Sequence, residues 1–252
     1  MPSQRIRFPN ANGQQLAAYL DLPDDGQVTS YGIFAHCFTC GKNLKPIVNI
    51  NKSLTAHGLG VLRFDFTGIG ESEGDFPETN FSTTVSDLVA AANFLSKNYK
   101  SPRFLIGHSM GGAAVLQAAH DIPDSQAIVT IAAPSNPNHL SGILKQKRDV
   151  VKSEGAAEVT IGGQTFTLTK QFFDDLEKTR MDHFIRELDR PLLILHSPND
   201  DTVDIRNAAE IFQTAKHPKS YISLDKMGHL ILEESEARYV GDLIATWMRR
   251  YL

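Results

Sequence analysis

Short, dense apolar runs alternate along this chain with longer stretches that carry a helical stripe. Tyr31-Gly32-Ile33-Phe34-Ala35, Val61-Leu62-Arg63-Phe64-Asp65-Phe66, Arg103 to Ile106, Ala127 to Ala133, Pro191 to His196 and Ser220 to Leu224 all read as strands. Several are apolar at nearly every position, the pattern of strands buried on both faces. Between them the spacing predicts helices from Pro46 to about His57, stopped by Gly58, and from Phe81 to about Tyr99. The second carries Val85, Leu88, Val89, Ala92 and Leu95 on one stripe. Further helices are expected from Ser109 to about Asp121, from about Asp204 to Ala215 and from Glu233 to Tyr251. Arg5 to Phe8 and Leu16 to Leu20, joined by the turn Asn10-Ala11-Asn12-Gly13, form a hairpin. Strand and helix in regular alternation predict an α/β fold. Its doubly wound, mostly parallel sheet is extended at one edge by the antiparallel N-terminal hairpin.

The alternation breaks at Pro134-Ser135-Asn136-Pro137. Residues from about 135 to 188 hold a basic helical stretch (Leu140 to Ser153), a candidate hairpin (Glu158 to Leu168) and a polar helical stretch (Phe172 to Leu188). Long insertions in compact domains tend to be lids or binding loops. This one is expected to be a cap over the C-terminal ends of the strands, within one domain spanning 1–252.

The strand Arg103 to Ile106 ends in Gly107-His108-Ser109-Met110-Gly111, and an Ala-rich helical run comes next. G-x-S-x-G at a strand-to-helix junction lifts a serine oxygen clear of the backbone on a tight turn. A glycine-rich turn with a surface serine is the plain alternative. A serine nucleophile needs a base within hydrogen-bond reach, and that base needs an orienting carboxylate. In a doubly wound sheet such groups gather where the strands end. Of nine histidines, His229 sits in the loop between the last strand and the last helix and is the expected base, its alternative being a helix cap. His57, His120 and His217 fall in or beside helices, His139 and His183 in the insertion, and His36 and His196 at strand ends where they brace loops. His108 points away from its neighbour Ser109. Asp200 and Asp201 lie after the strand ending at His196; the spacing from Asp200 to Val203 favours Asp200 as the acid. Asp201 and Asp204 are then helix-cap carboxylates.

Composition removes other classes. A net charge of -4 over 252 residues without blocks of like charge points to neither nucleic acid nor an anionic membrane. No apolar run approaches the roughly 20 residues that cross a bilayer, and Met1-Pro2-Ser3-Gln4-Arg5 lacks an apolar signal region. The expected address is the cytoplasm. The run Gly68-Ile69-Gly70 to Gly74 misplaces its third glycine for dinucleotide binding and reads as a loop. The only cysteines, Cys37 and Cys40, form a C-x-x-C after a strand. That spacing admits a thiol redox site or simply two small residues in a tight loop.

Taken together, Gly107 to Gly112, Asp200-Asp201-Thr202-Val203, Gly228-His229 and Asp65 to Ser72 resemble the α/β-hydrolase superfamily over essentially the full length. Ala35-His36-Cys37-Phe38-Thr39-Cys40, Leu62 to Gly68 and Glu73-Gly74-Asp75-Phe76 more closely resemble bacterial hydrolase domains joined to OsmC-type domains. The resemblance implies the α/β-hydrolase fold, and it assigns His36-Cys37-Phe38 to the segment that carries half of an oxyanion hole. The backbone N–H groups of Phe38 and Met110 are then its donors. Cys37 stands where many relatives have glycine, and Cys40 beside it would make the site sensitive to oxidation.

The expected function is hydrolysis of small carboxylic esters through an acyl-enzyme, with Ser109, His229 and Asp200 as triad, no metal or organic cofactor, and a small acyl substrate as partner. Phe166, Phe172, Phe173 and Phe184 of the insertion are candidates for the acyl pocket, or else its own small core. Alternatives are a thioesterase, lipase, peptidase or amidase of the same fold, a non-catalytic binding protein, and a thiol redox protein using Cys37 and Cys40.

Overall fold

A computed structural model describes residues 1–161 and 164–252. The N-terminal hairpin pairs β1 (Ser3–Pro9) with β2 (Gln15–Asp21) antiparallel. The parallel strands are β3 (Ser30–Ala35), β4 (Leu59–Phe64), β5 (Phe104–His108), β6 (Ala127–Ile131), β9 (Leu192–His196) and β10 (Lys219–Ser223). In the insertion, β7 (Ala156–Ile161) and β8 (Gln164–Thr169) pair antiparallel in a sheet of their own. The main sheet has eight strands in the order β1-β2-β4-β3-β5-β6-β9-β10, with β2 antiparallel to β4. The chain steps from β3 outward to β4, then back across to β5 on the other side. Loops after β3 and β5 therefore leave in opposite directions, and crevices in such sheets open at that point.

The main helices are α1 (Lys45–Ala56), α2 (Phe81–Asn98), α3 (Met110–Ala118), α8 (Arg206–Thr214) and α9 (Glu234–Met248). Successive strand residues feed opposite cores, as the pleat requires. Ile33, Leu105, Ile128, Leu192 and Ile194 face α2, α3 and α8, while Phe34, Ile106, Val129, Leu193 and Leu195 face α1 and α9. The α1–α9 contact is close: a Cβ on Gly241 would meet Ser53 Cβ at 2.6 Å.

The insertion contains α4 (His139–Ile143), α5 (Lys145–Glu154), the β7–β8 hairpin, α6 (Lys170–Lys178) and α7 (Met181–Arg186). Each predicted long helical stretch is thus two helices, the first interrupted at Leu144 and the second by Thr179-Arg180. The turn residues Gly162-Gly163 of the predicted hairpin lie outside the described residues. Among the described residues no helix is long and apolar enough to cross a membrane.

Candidate active site

Ser109 links β5 to α3 with φ 55° and ψ -123°, a left-handed backbone that L-residues rarely adopt. Its neighbours enforce the turn. A Cβ on Gly107 would fall 2.2 Å from Gly111 O, and one on Gly111 would fall 2.4 Å from both Ala35 O and His36 O. The elbow therefore packs directly on the end of β3 and the first residue of its loop. Ser109 N–H donates to Ile131 O at 2.8 Å, locking the turn to β6.

The hydroxyl of Ser109 donates to His229 Nε2 at 3.0 Å, and His229 Nδ1–H donates to Asp200 Oδ2 at 2.8 Å. Residues 109, 200 and 229 come from the ends of β5, β9 and β10, and the sheet brings them into one relay. The other oxygen of Asp200 accepts from the N–H groups of Thr202 (2.9 Å) and Val203 (2.8 Å), the contact its spacing to Val203 anticipates. Burial alone would raise the Asp200 carboxyl. Hydrogen bonds from His196, His229 and Val203 N–H outweigh it and hold the group well below the usual carboxylate range. Asp201 instead accepts from Thr202 Oγ1 and does not cap α8; Asp204 accepts from Arg206 N–H just before that helix.

Two further histidines support the relay. His108 Nε2–H donates to the backbone carbonyl of His229 at 2.8 Å and so fixes the loop that carries the His229 imidazole. Burial, aided by the nearby His229, pushes the His108 ring down to about 3, which keeps it neutral. His196 Nε2–H donates to Val203 O at 2.8 Å and braces the loop that carries Asp200.

Cys37 and Cys40 are joined by a disulfide, and Cys40 N–H donates to Cys37 O at 3.2 Å across a tight turn. Phe38 and Thr39 lie inside this small ring, Thr39 at φ 59°. His36 Nδ1–H also donates to Cys37 O (2.8 Å). Among the described residues, neither Phe38 N–H nor Met110 N–H donates to a protein acceptor.

A cavity of about 700 Å³ opens over Ser109 and His229. Its apolar wall comes from Leu44, Ile69, Leu140, Leu144, Val159 and Leu230, with Phe38 and the disulfide along one side. Apart from His229, no ionisable side chain lines it among the described residues. The insertion supplies Leu140, Leu144 and Val159, but the four phenylalanines singled out from the sequence are not in this wall. Phe172 lines a smaller adjoining cavity with Phe38 and Phe76. Phe166 packs on Phe76, Phe173 on Phe172, and Phe184 on His120. They make up the insertion's own core and its seam with the sheet domain. The spacing of Leu140 and Leu144, four apart, is the signal in the sequence for the true wall. Among the described residues no cluster of three or more His, Cys, Asp or Glu side chains is arranged to hold a metal ion.

Comparison with known proteins places this geometry. Residues 41–154 match the family model described as serine aminopeptidase S33 (Hydrolase_4). The crystal structure of an esterase domain from a Rhodothermus marinus protein is 45% identical, with a TM-score of 0.82, covering 100% of this chain and 99% of that one. Mouse palmitoyl-protein thioesterase ABHD10 is 23% identical over 211 residues, 81% of this chain and 70% of that protein. Rat monoglyceride lipase is 30% identical over 141 residues, 54% of this chain but only 40% of that protein. With an elbow serine at the switch point of a mostly parallel sheet, and a full-length relative of this identity, the chain belongs to the α/β-hydrolase superfamily.

Proposed function

We propose that this chain is a serine hydrolase of uncharged carboxylic esters. The observation that carries the reading is the unbroken relay from Asp200 through His229 to Ser109, at 2.8 and 3.0 Å. Ser109 Oγ attacks the ester carbonyl while His229 Nε2 takes its proton. Asp200 fixes the Nδ1–H tautomer and stabilises the imidazolium. The N–H groups of Phe38 and Met110 receive the oxyanion; one such donor typically lowers the barrier by about 3–4 kcal/mol. His229 returns the proton to the leaving alcohol, then activates water to release the acid.

An apolar cavity with, among the described residues, no ionisable wall side chain beyond His229 favours a neutral acyl group and a neutral leaving group. A free α-ammonium, as an aminopeptidase substrate presents, would find no carboxylate there. An apolar thioester is the second reading, favoured by the same wall and by the similarity to mouse palmitoyl-protein thioesterase. Residues 135–188 act as the cap, since Leu140, Leu144 and Val159 roof the cavity. A kinship with hydrolase domains joined to OsmC-type domains is part of this proposal and rests on Ala35 to Cys40, Leu62 to Gly68 and Glu73 to Phe76. Ser109→Ala tests the central claim: turnover of p-nitrophenyl butyrate and labelling by a fluorophosphonate should both vanish. Undiminished turnover by the variant would remove Ser109 as nucleophile.

A further inference from the structure

Lys42 is a lysine with 1% of its side chain exposed, at the end of the loop that carries Phe38. Every polar group it owns is held. Its Nζ donates to Asp65 Oδ2 at 2.5 Å and to Glu71 Oε2 at 2.6 Å. Its backbone N–H donates to Asp65 Oδ1 at 2.7 Å, so one carboxylate grips the residue at both ends. Its carbonyl accepts from Arg63 Nη1 at 2.8 Å. Arg63 is itself fixed by Asp21 at 2.7 Å and lies over the Tyr19 ring at 4.7 Å.

The same carboxylate reaches the second loop bounding the cavity. Asp65 Oδ2 accepts from Glu71 N–H at 3.0 Å, and a Cβ on Gly70 would fall 2.4 Å from that oxygen. Glycine at 70 is what lets the carboxylate pass. Gly41 and Gly70 both line the cavity over Ser109. The segment 36–41, closed on itself by the Cys37–Cys40 disulfide, is thus tied to the rest of the fold by the end of β3 on one side and Lys42 on the other. Phe38 and its N–H lie between them.

Stability alone does not account for this arrangement. Burying an ammonium is costly, and replacing a buried ion pair by packed apolar side chains is often neutral or stabilising. What an ion pair adds over an apolar contact is direction. Here four directed bonds fix both the backbone and the side chain of one residue.

We propose that Lys42 is a positioning residue: clamped by Asp65 and Glu71, it sets where the Phe38 N–H points and so tunes oxyanion binding. This rests on the serine hydrolase reading of the site. Lys42 is not among the residues that line the cavity over Ser109, so its loss should weaken the transition state while leaving ground-state binding alone.

The test uses Lys42→Met and Glu71→Gln in the full chain. It measures kcat and KM for p-nitrophenyl butyrate, inhibition by an aliphatic trifluoromethyl ketone as oxyanion mimic, and the melting curve. In Lys42→Met we expect kcat to fall about 30- to 100-fold, part of what a whole donor is worth. Ketone affinity should fall in parallel, with KM changed less than about twofold. Glu71→Gln leaves the Asp65 grip intact and should lower kcat about threefold. A folded Lys42→Met with wild-type kcat and ketone affinity overturns the inference, as does a loss confined to KM. Should Lys42→Met fail to fold, Glu71→Gln decides: unchanged kcat and ketone affinity there also overturn it. A wild type that is inert and unlabelled by fluorophosphonate sinks the hydrolase reading itself, a result distinct from an active wild type matched by an equally active Lys42→Met.

Discussion

Replacing Gly111 by alanine probes whether the elbow and the end of β3 jointly set the proposed oxyanion site. In a helix, glycine to alanine ordinarily stabilises by about 1 kcal/mol. Here the added Cβ would lie 2.4 Å from both Ala35 O and His36 O. A carbon and a carbonyl oxygen settle at about 3.3 Å, so the two segments must part by roughly 0.9 Å. Ala35 O does not yield easily, because β3 is bonded to β4 on one side and β5 on the other; His36 O lies just past the strand, in the loop. Overpacking of this kind costs about 1–3 kcal/mol, enough to reverse the helix gain. The larger effect falls on chemistry, because Met110 N–H rides on the elbow and Phe38 N–H on the displaced loop. A misplacement near 1 Å is worth about 100-fold, toward the low end of losing one donor outright. We therefore expect kcat for p-nitrophenyl butyrate to fall about 100-fold with KM within about threefold, and the melting temperature to drop by as much as about 8 °C once the helix gain is subtracted. Stopped-time ester assays and thermal circular dichroism read both quantities. A variant at least as stable as wild type, with kcat within about threefold of it, would refute the argument from close packing.

Three further outcomes hang on particular residues. Burial pushes the Asp87 carboxyl up to about 6 despite hydrogen bonds from Thr67. Its folded value lies above the unfolded one, so the stability it contributes is complete below about pH 4 and lost as pH rises through 6. Asp87→Asn should accordingly gain on wild type by about 3 kcal/mol between pH 4 and pH 7.5 in urea unfolding, and a pH-independent difference would contradict this. Reducing the Cys37–Cys40 disulfide with a phosphine frees the ring that holds Thr39 in its left-handed backbone, and should lower kcat by about tenfold. Equal rates before and after reduction, with both thiols alkylated in the mass spectrum, would remove the ring from the site's geometry. Leu144→Trp fills part of the cavity roof and should cut kcat/KM for p-nitrophenyl octanoate at least about tenfold more than for the acetate; equal losses would move the acyl group elsewhere.

The parts legible in the sequence share a cause. Strands buried on both faces must be apolar at nearly every position, so Ile33-Phe34 or Leu192 to Leu195 announce themselves, and the residues just past each parallel strand must lie at one rim of the sheet. That rule alone makes Ser109, Asp200 and His229 neighbours. It says nothing about an insertion outside the alternation. Phe172 and Phe173 carry the same apolar signal as Leu140 and Leu144, yet only the latter pair faces the cavity over Ser109. Periodicity reports that a side chain is buried, not which of two adjoining cores receives it. The thiol state of Cys37 and Cys40 is equally silent, since three residues of spacing suit both a loop and a bond.

Charged residues show the limit most sharply. Glu71 stays partly exposed, but Lys42 and Asp65 are buried, although each reads as a solvent-facing group when taken singly, because burial of a charge is the exception. What buries them is a pairing across 23 residues between loops after two different strands. No local window contains both partners. The alternation of strand and helix places those two loops side by side at the crevice, and only then does a buried lysine find carboxylates within hydrogen-bond reach. The fold thus precedes the clamp in the logic of the molecule: the apolar pattern sets which loops meet, and the polar residues those loops carry decide how rigidly the site between them is held.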